Sequence, residues 1–98
     1  MPKVLEVWGY IIYIWSNEQK PLEPIHVHVS KRPTKNGTKI WIFSNGSTSV
    51  AHNKSRIPPR DLKRLRKTIS EYRDVIEKAW KEHFGIETIT YKDMEKLH

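Results

Sequence analysis

The chain has 98 residues, 37% of them hydrophobic, and no cysteine. That is one small domain with a single core, without disulfides, a thiolate nucleophile or a cysteine-based zinc site. The formal net charge is +7, unevenly spread: residues 1–30 net −1, residues 31–67 net +10 with Asp61 the sole acid, and residues 68–98 net −2. Such a block suits phosphates or an acidic protein partner, or serves only as a solvated surface. No apolar run approaches the ~20 residues that span a bilayer, and "MPKVLEVWGY" lacks the layout of a secretion signal. The expectation is a cytoplasmic protein with no membrane partner.

In chain order, "EVWGYIIYIW" is β-branched and aromatic and predicts a first strand over about 5–15. Both of its faces are apolar, which predicts a central strand, and Gly9 marks a bend or bulge. A polar, Pro-broken connection, "SNEQKPLEP", leads to a second strand over 25–31. There alternation sends Ile25, Val27 and Val29 to one face and His26, His28 and Ser30 to the other. Two Asn-Gly pairs, at 36–37 and 45–46, then read as tight hairpin turns leading to strands over 38–44 and 47–52.

Pro58-Pro59 opens a helix over 59–84. Leu62, Leu65, Ile69, Tyr72, Ile76, Ala79, Trp80 and His83 make one apolar stripe, and Gly85 is the stop. At 1.5 Å per residue the helix is roughly 39 Å long. The tail, 86–98, carries at most a weak strand signal. The predicted fold is α+β: a single domain built from an antiparallel four-stranded meander with one long helix packed across one face. One helix covers only one face. Trp41 and Phe43 would then lie beside His26 and His28 in solvent, a surface fit for a homodimer unless the tail folds back over it.

Two imidazoles at i and i+2 of a strand face the same way and can converge on one metal. A third ligand is needed, and His52 and Glu23 have no diagnostic spacing for it. A lone His-x-His is a weak metal signal, so no metal and no cofactor is assigned. Metal-free phosphodiester cleavage is a second reading. His26, His28 and His52 would exchange protons near neutrality while a Lys or Arg stabilised the phosphorane. The plainest reading is that the rings pack on aromatics and hydrogen-bond to neighbouring chain.

The basic candidates fall in two groups: Lys31, Arg32, Lys35 and Lys39, then Lys54, Arg56, Arg60, Lys63, Arg64 and Lys67. Helix starts favour acids by typically 0.3–1 kcal/mol per group, yet the first turns here carry Arg60, Lys63, Arg64, Arg66 and Lys67 against Asp61 alone. A helix charged against its own dipole points to an external anion.

Taken in order, "GYIIYIW", "EPIHVHV", "TKIWI", "SRIPPRDL" and "AWKEHFG" resemble the bacterial domain-of-unknown-function family 4160 over roughly residues 6–85. Pro24, His26, His28 and Val29 form the most recognisable element. Glu23 stands where the family commonly has a first proline, and the 31–39 loop is longer and more basic than usual. The resemblance implies a prokaryotic or mobile-element origin and a place in a toxin–antitoxin-like pair. The expected role is a small component of such a module that binds nucleic acid or an acidic cognate protein through its basic patch. A ribonuclease-like enzyme and a homodimerising interaction protein are the alternatives.

Overall fold

The computed structural model describes residues 2–15 and 22–93. Six residues of the predicted connection, 16–21, and the end of the tail, 94–98, lie outside the described residues. Five strands run in chain order as an antiparallel meander: β1 (Lys3–Val7), β2 (Tyr10–Tyr13), β3 (His26–Ser30), β4 (Thr38–Ile42) and β5 (Thr48–His52). Two helices follow, α1 (Pro59–Glu71) and α2 (Arg73–Phe84).

The first predicted strand is in fact a hairpin, which is why the sheet has five strands and not four. Val7 pairs with Tyr10 across a two-residue turn, Trp8-Gly9, at φ 51° and 78°. Positive φ at both central residues is what a two-residue hairpin requires. The central strand is therefore β3, the histidine strand, while β1 takes an edge.

Neither Asn-Gly pair makes that kind of turn. Residues 34–37 form a turn closed by Gly37 N–H donating to Thr34 O at 3.2 Å, inside a longer β3–β4 loop. At the second pair, Gly46 N–H donates to Phe43 O, Phe43 N–H donates to Ser47 O, and only Gly46 has positive φ. This is the three-residue hairpin loop closed by a left-handed glycine.

The predicted single helix is two helices. The chain turns at Tyr72 (φ −102°, ψ 23°). A straight helix over 59–84 would exceed the 33 Å extent of the molecule. Broken at Tyr72, α1 packs on β5 and α2 on β1, so the pair spans the sheet from edge to edge. Tyr72 falls off the apolar stripe and is exposed. Gly85, at φ 64°, ends α2 as expected.

The core follows the alternation. Ile12, Ile25, Val27, Val29, Ile40 and Ile42 are buried with Leu65, Ile69, Ile76 and Trp80 of the helices, and Leu62 packs partly buried against them. No helix among the described residues is long and apolar enough to cross a membrane.

Candidate functional site

The histidines alternate with the core residues of β3, and the His26 ring reaches Trp80 of α2, with ring centres 5.3 Å apart. Directly opposed residues of antiparallel strands share a face, and the register aligns Tyr13, His28, Lys39 and His52 in one row across β2 to β5. His26 opposes Trp41 in the next row. His52 reaches this face through a β-bulge. Ile40 opposes Val50 but Lys39 opposes His52, so Ala51 is an extra residue on β5. Without it, alternation would carry His52 to the core face with Val50.

This face is closed, contrary to the expected open aromatic surface. His26 and His28 are each only 6% exposed, and Phe43 is buried. The β3–β4 loop folds over Tyr13, whose hydroxyl donates to Thr34 O and accepts from Thr34 N–H. Tyr13 in turn stacks on His28 at 5.8 Å. From the tail, Thr90 O accepts the Ile25 N–H at 2.9 Å, and the Lys92 ammonium lies 4.7 Å from the Trp41 ring centre. Lys39 approaches the same ring at 4.3 Å.

Gly37 is required by this closure. A Cβ there would overlap the Tyr13 hydroxyl and come within 3.2 Å of the His28 Cβ. Tyr13 is fully buried and cannot swing away. Gly37→Ala is therefore expected to lower stability by about 1–3 kcal/mol through overpacking. An unchanged thermal melt for that variant would show that the loop does not press on Tyr13.

Each buried histidine is oriented by a backbone carbonyl. His26 Nδ1 lies 2.9 Å from Pro24 O and His28 Nδ1 lies 3.1 Å from Gly37 O. A carbonyl only accepts, so Nδ1 carries the proton in both rings and Nε2 keeps its lone pair when the ring is neutral. Burial lowers the His26 pKa to about 4, with Lys39 and His28 adding in the same direction. Burial also lowers His28, as it does His52 with help from Lys54 and Lys39. Burial works to raise Glu23, but its 2.8 Å pairing with Lys39 and the nearby histidines bring it down on balance.

The rings are thus neutral and packed. The space beside His26, lined by Trp15, Glu23, Trp80 and Phe84 among others, is about 10 Å³, room for one water. No three His, Asp or Glu side chains among the described residues are grouped to hold a metal ion.

The cations are arranged differently. Lys31 and Arg32 of the β3–β4 loop meet Arg56 in a cavity of about 600 Å³ at the start of α1, together with Ser30, Thr34 and Asp61. The Asp61 carboxylate is engaged by the Tyr10 hydroxyl at 2.8 Å. Arg56 takes φ 55° there. Asn53 holds the segment by accepting from Ile57 N–H and donating to Ile57 O. Further along α1, Lys63 and Lys67 line a second cavity of about 250 Å³ with Ser47, Thr48, Arg66 and Ser70. Arg64 and Lys67 border a third, of about 280 Å³, with Trp8.

Lys35, Lys54 and Arg60 are exposed but line none of these three cavities. Lys39 stands apart on the histidine face. Of the ten basic candidates, it alone forms an ion pair with a carboxylate among the described residues. Arg66, which charge alone would place with the others, is a clamp: its guanidinium donates to Thr48 Oγ1 at 3.0 Å and to Thr48 O at 2.8 Å. Sequence reasoning passed over Trp8, Ser47 and Thr48. The Trp8-Gly9 pair inside an otherwise β-branched run was the available signal for the first.

Fold and surface together define a small α+β domain with a closed histidine face and a cationic flank along α1. The family model described as Domain of unknown function (DUF4160) matches residues 9–81, more than half of the chain, and the chain belongs to that family. No curated protein and no solved structure matches it.

Proposed function

We propose that this protein is a small binding component, of the kind a toxin–antitoxin-like or mobile-element module uses, that holds nucleic acid along the cationic flank of α1. The observation that carries this reading is the convergence of Lys31, Arg32 and Arg56, distant in sequence, on one open cavity at the helix start. Arg56 reaches it from the left-handed backbone conformation that non-glycine residues rarely adopt, within the turn that Asn53 closes. Phosphates suit the site because hydroxyls, guanidinium groups and ammonium groups line it together.

The test is binding of labelled RNA and DNA at two salt concentrations by the wild type and by an Arg32→Gln/Lys63→Gln variant. The slope of log affinity against log salt should become shallower by about 0.9 for each duplex phosphate no longer neutralised, or about 0.7 on a single strand. The fold should hold or gain slightly, because Lys63 opposes the helix dipole. No nucleic-acid binding by the wild type at low salt would assign the flank to an acidic protein instead. A variant that unfolds would make the two residues structural.

The ribonuclease-like alternative has one observation in its favour: neutral, carbonyl-oriented imidazoles share a face with Lys39 and His52. A phosphodiester does not fit the 10 Å³ beside His26. Cleavage in the same assay, abolished in His26→Ala, would reverse this preference.

A further inference from the structure

Trp8 is placed against both its conformational and its solvation preferences. It occupies the first central position of the β1–β2 turn at φ 51°, where Asn or Gly is favoured and a bulky side chain is an outlier. Half of its surface is exposed. The hydrophobic core does not include it, so an Asn would make the same turn and forgo only surface contacts, chiefly that with Arg64. Local strain of this kind gathers at functional positions.

What surrounds the ring indicates the function. The Arg64 guanidinium lies 4.1 Å from the Trp8 ring centre, a cation–π stack that holds the indole in place. Trp8, Arg64 and Lys67 border one cavity of about 280 Å³, and Lys67 also borders the neighbouring one with Lys63. The half-exposed indole is therefore continuous with a row of cations that form no ion pair with a carboxylate among the described residues. Glu71, the carboxylate in this lining, lies a turn beyond Lys67, on the side away from Lys63.

We propose that Trp8 and Arg64 form a stacking platform for the bases of single-stranded nucleic acid, with Lys63 and Lys67 taking the phosphates. This rests on the nucleic-acid reading above and narrows it to unpaired strands. In a duplex the faces of the bases are hidden in the stack, whereas a single strand can lay a base on the exposed ring. Aromatic side chains beside a cationic groove are how strand-binding surfaces work without reading sequence.

The experiment measures anisotropy with labelled uridine and thymidine 12-mers, a duplex of the same length and an abasic oligomer, against wild type, Trp8→Asn and Trp8→Phe. Asn suits the left-handed turn and so offsets the lost Arg64 contact, and Trp8→Asn should melt close to the wild-type temperature. It should bind the single strands about 5- to 150-fold more weakly, the range for one stacked base, and the abasic oligomer equally well. Trp8→Phe should recover most of the affinity. In the wild type, the single strands should quench tryptophan emission and the abasic oligomer should not. Equal binding of single strands by Trp8→Asn and wild type overturns the platform and leaves the cationic flank standing. Duplex bound more tightly than strand also overturns it. Wild type that binds no nucleic acid overturns both readings at once.

Discussion

Acidification from pH 7 to pH 4 is expected to destabilise the protein by roughly 3 kcal/mol through His26 alone. The folded ring titrates at about 4 against an ordinary value of 6.5, because burial penalises its charged form. Below pH 6.5 the unfolded chain takes up a proton that the folded chain refuses until about pH 4. Stability is thus complete above 6.5, falls through that window and levels off below it. The Pro24 carbonyl and, more weakly, Glu23 at 4.0 Å favour the charged ring, Lys39 and His28 oppose it, and Trp41 and Trp80 supply the dry walls.

His28 and His52 are lowered as well and add in the same direction. Glu23, held down by Lys39, extends the decline below its ordinary value of 4.5. Urea midpoints at pH 7, 5.5 and 4.5 should fall in step, and His26→Gln should flatten the upper part of that decline. A midpoint indifferent to pH between 7 and 4.5 would show that the ring is not buried as described.

Leu65→Ala should cost about 2–5 kcal/mol, a large share of the 5–15 kcal/mol that small domains possess. Leu65 is fully buried on α1, within the cluster that joins the helices to Val27, Val29 and Ile40. Leu62→Ala should cost less, since Leu62 only flanks that cluster. Thermal and urea melts decide both. A Leu65→Ala protein that melts with the wild type would mean that α1 does not cover the sheet.

The candidate site is readable in part. The basic residues can be named from the charge block, and the aligned faces of His26 and His28 from alternation. Which cations meet, which one is paired away and which one clamps β5 depends on distances between segments far apart in the chain. Lys39 illustrates the point. It belongs to the same charge block as Lys35, yet the pairing of β3 with β4 turns it onto the histidine face and into the reach of Glu23.

What the sequence determined by itself was the core face of β3 and most of the apolar stripe of the helices, Tyr72 excepted. Alternation over 25–30 assigned Ile25, Val27 and Val29 to the core, and spacings of three and four assigned Leu65, Ile69, Ile76 and Trp80 to the same core. Gly85 ended α2 because its left-handed φ is local chemistry. Only the tertiary structure decided the rest. Gly9 marked a bend, but the two-residue turn also needs Trp8 to accept a positive φ, which nothing in its residue type announces. The break at Tyr72 arises where a helix outgrows the sheet that it must cover, and the chain there contains neither Gly nor Pro. His52 reaches the histidine row through a single extra residue on β5, and that parity change exists only relative to β4. Gly37 reads as a turn former, but it is needed because the Tyr13 hydroxyl, from another strand, occupies the space where its side chain would stand.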